Sequence, residues 1–140
     1  MPALPPRRSN CPISCTLDLL GDKWTLLVVR DLVMGKSRFD EFLKGPEGIA
    51  SNILAKRLKL LNDAGYVTRK PDPSDGRQVL YELTPEGEPL RELAITVARW
   101  GEKHFPDAKI PRERISQKSV SPQRQDTPKQ SPKSRKGKGK

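Results

Sequence analysis

A change of residue periodicity near Gly65 limits the fold of this sequence more than any other feature. Before it, Leu54, Leu58 and Leu61 recur at the spacing that places side chains on one side of a helix, over about residues 50–63. After it, the runs YVTRK and QVLYEL are rich in β-forming residues and flank the turn-forming segment PDPSDGR. The sequence therefore predicts a helix followed directly by a β-hairpin.

Helical patterns also precede this unit. Residues 12–20 form a short predicted helix, in which Pro12 suits the first turn, and residues 23–34 form a strongly apolar one that ends at Gly35. A short third helix is predicted to follow Ser37 as its cap, and the sequence GPEG separates it from the leucine-striped helix. Three helices are therefore expected before the fourth.

A long helix is predicted after the hairpin, with Thr84 as its cap and Pro85 at its first position. The full order is then helix, helix, short helix, turn, helix, hairpin and long helix. Two helices joined by a tight glycine-containing turn and followed by a hairpin are typical of a winged helix-turn-helix. The predicted fold class is α+β, mostly α, with a two-stranded wing.

The positive charge is concentrated in the last part of the chain. Residues 106–140 hold 11 Lys or Arg and 3 Asp or Glu, and so carry +8 of the net charge of +10. This segment is rich in Ser, Pro and Lys and has few apolar side chains, which predicts a disordered basic tail after a domain over residues 1–105. The tail is a solubilising segment, a non-specific DNA arm, or a substrate for kinases that recognise Ser-Pro and Thr-Pro.

Several protein classes are not expected. No apolar run approaches the ~20 residues that cross a bilayer, and the start MPALPPRRSN has no apolar signal-peptide core, which predicts a cytoplasmic protein. Two cysteines are too few for a disulfide scaffold. Cys11, Cys15 and the distant His104 are too few ligands for a structural zinc site unless two subunits share one. No cofactor or enzymatic motif is expected either.

The helix over residues 50–63 carries a polar face opposite its leucines. Asparagine pairs with adenine, lysine reaches guanine or phosphate, and alanine contacts the thymine methyl group. The alternative is an ordinary solvated helix face, but the surrounding helix-turn-helix favours contact with double-stranded DNA. The predicted DNA-binding residues of this face are Ser51, Asn52, Ala55, Lys56 and Lys59.

Further positive groups are expected near the same helix. Lys36, Ser37 and Arg38 precede the short third helix, where free backbone N–H groups would favour phosphate. Arg77 is predicted at the hairpin tip, where it could enter the narrow minor groove of A/T-rich DNA. The alternative for Arg77 is a solvated turn charge that pairs with Asp75. Phosphate contacts from these groups would position the protein on the duplex.

Between Cys11 and residue 105, an ordered series of motifs resembles the HxlR-type bacterial transcriptional regulators, which are related to the MarR group. The motifs are Cys-Pro, Gly-Asp-Lys-Trp, Gly-x-x-Arg-Phe, Ile-Ala-x-Asn-Ile-Leu, Arg-Leu-x-x-Leu, Gly-Tyr-Val-x-Arg and Tyr-Glu-Leu-Thr-Pro-x-Gly. The resemblance implies a winged-helix homodimer that binds a pseudo-palindromic operator in the nucleoid, with recognition helices ~34–36 Å apart. It also implies repression or activation of transcription.

The resemblance further implies that the first and last helices form the dimer interface, although an apolar stripe of this kind also suits the core of one domain. Some members of the family bind small molecules near that interface, so Trp24 and Trp100 are core residues or part of such a ligand site. The candidate interface residues are Leu17, Leu90, Leu93, Val97 and Trp100.

The two cysteines have different expected roles. Cys11 precedes Pro12 and so caps the first helix, where the helix N-terminus and the nearby Arg7 and Arg8 would stabilise a thiolate. The resemblance implies that some members of the family respond to oxidants or electrophiles through a cysteine at that Cys-Pro position, which makes Cys11 the redox-sensing candidate. Cys15 is expected to be a buried apolar residue or a disulfide partner. A thiol oxidoreductase is disfavoured because such enzymes use Cys-x-x-Cys.

Overall fold

The structure is a computed structural model that describes residues 4–109. The described part is a winged helix-turn-helix of mixed α+β class, in which one hairpin is inserted before the last helix. The elements in chain order are α1 (Pro12–Leu20), α2 (Thr25–Val33), α3 (Phe39–Leu43), α4 (Ser51–Asp63), β1 (Val67–Asp72), β2 (Asp75–Leu83) and α5 (Pro89–His104). The predicted fold class is confirmed.

The core lies where α2, α3 and α4 meet the base of the hairpin. The predicted leucine stripe of α4 is fully buried and packs on α2 and on Phe42 of α3. Complete burial of a leucine side chain contributes about 1.5–3 kcal/mol, so this stripe fixes which face of α4 is left for solvent. The buried cluster consists of Val28, Val29, Leu32, Val33, Phe42, Leu54, Leu58, Leu61 and Val67.

The wing is an antiparallel hairpin whose register runs from Val67 opposite Leu83 to Pro71 opposite Val79. Its turn is shorter than predicted, because only two residues separate the strands. The carboxylate of Asp72 accepts hydrogen bonds from the backbone N–H of Ser74 (2.8 Å) and from its hydroxyl (2.7 Å), which closes the chain at that point. Arg77 therefore lies within β2 and not at the tip of the hairpin.

The start of α3 also differs from the prediction. Arg38, and not Ser37, is the residue before its first turn. The side chain of Glu41 accepts the backbone N–H groups of Ser37 (2.8 Å) and Arg38 (3.1 Å), so a carboxylate from within the helix does the capping. The carbonyl of Ser37 accepts the N–H of Tyr81 at 2.8 Å, which attaches this segment to β2.

The last helix begins at Pro89, four residues later than predicted. Thr84 instead closes a separate turn: its hydroxyl accepts the N–H of Gly87 (3.0 Å) and donates to the carbonyl of Gly65 (2.6 Å). Gly87 is buried against Tyr66, and this contact between distant residues holds the turn apart from the helix. The predicted tail, apart from residues 106–109, lies outside the described residues.

Candidate nucleic-acid interface

The solvent face of α4 is the exposed polar surface opposite its leucine stripe. Ser51, Asn52, Ala55 and Lys56 are all exposed there, and no carboxylate within residues 4–109 forms an ion pair with Lys56. Lys59 lies on the same face but its ammonium is 2.5 Å from the Asp63 carboxylate, in the next turn. The N-terminal half of α4 thus presents free polar groups, and the C-terminal half carries a paired charge.

Two ion pairs hold α4 in place. The guanidinium of Arg57 is 3.2 Å from the carboxylate of Asp22, which in turn accepts the backbone N–H groups of Trp24 (2.8 Å) and Thr25 (3.0 Å) at the start of α2. Burial raises the pKa of Asp22, but the Thr25 hydroxyl and these N–H groups outweigh it, so the pKa is below its usual value. The face of α4 is therefore fixed relative to α2.

The second ion pair fixes the turn between α3 and α4. Arg30 of α2 donates to both carboxylate oxygens of Glu47, at 2.5 and 3.0 Å, and also to Asp31. This guanidinium lowers the pKa of Glu47, and the same hydrogen bond raises the pKa of Arg30. Gly48 follows with a φ of 66°, a conformation that favours glycine. The chain thereby enters α4 in a defined direction.

The groups predicted at the start of α3 are engaged within the protein. The ammonium of Lys36 is 3.1 Å from the buried carboxylate of Asp31, and Glu41 takes the N–H groups that were expected to favour phosphate. Arg38 donates to Asp72 at 2.6 Å and to the Ser74 hydroxyl at 3.2 Å. These residues attach the wing and the helix-turn-helix to each other, and their charges are largely balanced.

An open groove separates α3 from the inner face of the wing. Arg77 is exposed there, and only its backbone N–H contacts Asp75, at 3.1 Å, so the predicted alternative of a charge pair with Asp75 is not formed. Arg69 of β1 enters the same groove and was not among the predicted residues. Arg69 is two residues after Val67 and so lies on the same face of β1, and this period of two was the available signal. The groove is lined by Phe39, Asp40, Arg69, Arg77, Gln78, Val79 and Tyr81.

Both cysteines are free thiols at the start of α1. Cys11 is exposed and precedes the first helical residue, as predicted, and its backbone N–H donates to the Ser9 hydroxyl at 3.2 Å. The thiol of Cys15 is half-buried and donates to the Ser9 carbonyl at 3.3 Å. The guanidinium of Arg8, which was expected to act on Cys11, lies 2.5 Å from the Asp18 carboxylate and lowers the pKa of Asp18.

The candidate interface residues divide between the core and the surface. Leu90 packs on the core and Leu93 is partly buried, whereas Val97 and Trp100 are 46% and 59% exposed. Leu17 of α1 is 51% exposed. Trp100 stacks on His104 with ring centroids 4.1 Å apart. The stripe of α5 therefore serves the domain core at its start and leaves apolar surface at its end.

No group of three or more His, Cys, Asp or Glu within residues 4–109 is arranged to hold a metal ion. Nor does that part of the chain contain a helix long and apolar enough to span a membrane.

The model of one protein family, described as HxlR-like helix-turn-helix, matches residues 19–109. The chain belongs to the HxlR-like family. Among its relatives, the HTH-type transcriptional regulators YybR and YdeP of Bacillus subtilis are 31% and 34% identical to it. These matches cover 71% and 68% of this chain, and 79% and 74% of the relatives. The protein is accordingly a transcriptional regulator with a helix-turn-helix domain and not an enzyme.

Solved structures of HxlR-like and similar proteins share this fold. PA1607, a candidate transcription factor, is 39% identical with a TM-score of 0.67, and the match covers 81% of this chain and 82% of that one. The redox regulator HypR in its reduced form is 31% identical with a TM-score of 0.61, over 67% and 93% of the two chains. The reduced regulator YodB of B. subtilis is 28% identical with a TM-score of 0.56, over 72% and 100%.

Proposed function

We propose that this HxlR-like protein binds a pseudo-palindromic operator in double-stranded DNA as a homodimer, with the N-terminal half of α4 in the major groove. The observation that carries the proposal is the exposed, unpaired polar face of α4. Asn52 and Lys56 offer donors and an acceptor to base edges, and Ala55 offers a methyl group to thymine. Ser51 contacts phosphate at the start of the helix. Such a regulator acts in the cytoplasm, where the nucleoid lies.

The other predicted groups take more limited roles in the proposed complex. Arg77 contacts the minor groove or its phosphates from within β2. Lys36 and Arg38 lie at the edge of the interface and share their charge with Asp31 and Asp72. Ser37 contributes its hydroxyl, because its backbone N–H is bound to Glu41. Lys59 exchanges Asp63 for phosphate when DNA is present.

A homodimer is supported by the apolar surface on the first and last helices. Leu17 on α1 and Val97 and Trp100 on α5 are large apolar side chains that are exposed. Val97 and Trp100 are three residues apart and so lie on one face of α5, and exposed apolar surface marks interaction sites. In the proposed dimer the late half of α5 packs against the same helices of a second copy. The two α4 helices would then contact successive turns of one face of the duplex.

Response to oxidants or electrophiles is the proposed regulation, with Cys11 as the sensor. Its thiol is exposed at the start of α1, whereas that of Cys15 is half-buried and hydrogen-bonded. HypR, which has a similar fold, is a redox regulator, and this supports the assignment. Because α1 is part of the proposed dimer interface, a change at Cys11 would alter the spacing of the two α4 helices. A small-molecule effector at that interface is the other form of regulation.

The proposal is tested by selecting bound sequences from genomic DNA fragments with the full chain, once reduced and once oxidised. We expect enrichment of a pseudo-palindrome by the reduced protein. Asn52→Ala should then cost about 1–3 kcal/mol of preference for that site over scrambled DNA while the fold is retained. An absence of any enriched sequence, with binding that disappears after truncation at residue 105, would instead identify a non-specific binder led by the tail.

A further inference from the structure

We propose that the groove between α3 and the wing binds a backbone phosphate of DNA, and that Arg69 of β1 is the principal contact. This inference rests on the proposed DNA binding and adds to it a site away from α4. It gives the wing a phosphate contact on its inner face, whereas only Arg77 on the wing had been predicted to touch DNA.

The geometry of the hairpin places the two arginines on one face. Arg69 pairs with Tyr81 across the strands, and paired residues point to the same side of a sheet. Val79 lies two residues before Tyr81 and therefore shares that side. The pairing register shifts beyond Val79, and Arg77, in that irregular part of β2, also lines the groove. Phe39 and Asp40 form the opposite wall. Both arginines thus line one open groove, opposite the first residues of α3.

The positive charges of Arg69 and Arg77 are not balanced by a carboxylate of the described residues. Arg69 and Arg77 are exposed, and no carboxylate within residues 4–109 forms an ion pair with either guanidinium. Arg38 shows the contrast, because Asp72 lies 2.6 Å from it and balances its charge. A guanidinium donates in a planar fork that matches two phosphate oxygens. Phosphate is therefore the ligand that fits these two groups.

One side chain that lines the groove, that of Asp40, is negatively charged. The Asp40 carboxylate is exposed on the α3 wall, and its partner is the Lys44 ammonium at 4.0 Å, also exposed. A carboxylate that lines the groove would repel a phosphate bound there. Asp40 therefore lowers the affinity of the groove for phosphate. Removal of its charge should strengthen DNA binding, whereas removal of Arg69 should weaken it.

The test compares Arg69→Ala with Lys70→Ala in the full chain. Lys70 is the matched control, because it is exposed, adjacent on β1 and on the opposite face of the wing, where it pairs with Leu80. We expect Arg69→Ala to weaken binding about 5- to 10-fold on operator and scrambled DNA alike, and to reduce the slope of log K against log salt by about 0.9. Lys70→Ala should change the affinity by less than 2-fold.

Asp40→Asn completes the test. It should tighten DNA binding about 2- to 3-fold, and the gain should be lost when Arg69 is also replaced. The proposal that the groove binds phosphate would be wrong if Arg69→Ala and Lys70→Ala lowered DNA affinity equally, or if Arg69→Ala had no effect on it. Thermal unfolding checks the fold of each variant, and Arg69→Gln replaces Arg69→Ala if the latter unfolds.

The same variants distinguish the proposal that the groove binds phosphate from the proposal that α4 recognises DNA. If Asn52→Ala abolishes operator preference while Arg69→Ala binds as the parent does, α4 binds DNA and the groove does not. If the parent chain shows no DNA binding, both proposals are wrong.

Discussion

Arg30 and Glu47 join α2 to the turn of the helix-turn-helix through two hydrogen bonds, of 2.5 and 3.0 Å. They lie 17 residues apart in the sequence, and the pair spans the short helix α3. The buried carboxylate of Asp31 holds the same guanidinium from its other side. The direction of α4 is thus set by an ion pair that includes neither a residue of α4 nor one expected to contact DNA.

We expect Glu47→Gln to lower the free energy of unfolding by about 0.5–1 kcal/mol, since Glu47 is partly exposed and solvent screens the pair. Operator affinity should fall more than affinity for scrambled DNA, because the direction of α4 is less well fixed. Chemical unfolding and fluorescence anisotropy measure the two effects. Glu86→Gln, an exposed change of the same charge, is the control and should alter neither.

The stabilisation by Glu47 has a defined pH dependence. Its pKa is lowered in the folded protein by Arg30, so the ionised form is favoured by folding. The contribution is present above the ordinary glutamate pKa of about 4.3 and is lost as the pH falls through the lower folded value. The difference in stability between parent and Glu47→Gln should therefore be constant near neutral pH and shrink below about pH 4. A difference that grew on acidification would contradict this assignment.

Gly87 is expected to tolerate no side chain. A Cβ atom there would lie 2.1 Å from the backbone carbonyl oxygen of Tyr66, and this oxygen also accepts the N–H of Thr84. Gly87→Ala should therefore shift the turn before α5 and cost about 1–3 kcal/mol of stability, as overpacking does. Gly76→Ala is the control, since nothing lies within 4 Å of the added atom and its φ is not positive. Equal melting temperatures for the two variants would contradict the prediction.

The same turn shows how far the sequence determines the structure. The bounds of α1 were predicted correctly, since Pro12 begins the helix and Gly21 follows its last residue. The segment Thr-Pro-Glu-Gly-Glu-Pro offers two prolines, and each suits the first helical position. The contact of Gly87 with Tyr66 decides between them, and no local pattern reveals a contact between residues so far apart.

The ion-pair partners of charged residues could not be predicted from the sequence either. The sequence showed that Arg38 is positive and near α3, but Asp72, its partner, is 34 residues away. Folding brings the two together by placing the wing against the residues before α3. The solvent face of α4 was predicted more fully, because helical periodicity alone separates Asn52 and Lys56 from the leucine stripe. Local periodicity thus predicted which face of a helix is exposed to solvent. The tertiary fold determined which charged side chains on that face form ion pairs.

Cys11 and Cys15 should differ in their effect on the response to oxidant. We expect Cys11→Ser to bind operator DNA within 2-fold of the parent under reducing conditions and to lose the change in affinity caused by peroxide. Cys15→Ser is the comparison, because its half-buried thiol is bonded to the Ser9 carbonyl. It should keep the response if Cys11 acts alone and lose it if the two form a disulfide. A Cys11→Ser variant that responds as the parent does would remove Cys11 as the sensor.

Trp100 is expected to be central to the dimer. It is 59% exposed in one copy of the chain, and buried tryptophans dominate the energetics of protein interfaces. Trp100→Ala should raise the dimer dissociation constant at least about 10-fold, equivalent to about 1.4 kcal/mol or more. Sedimentation velocity over a concentration series measures it. Arg99→Ala, at the neighbouring exposed position about 100° around α5, should leave the dimer intact. If both variants dimerise as the parent does, the interface lies elsewhere on the surface.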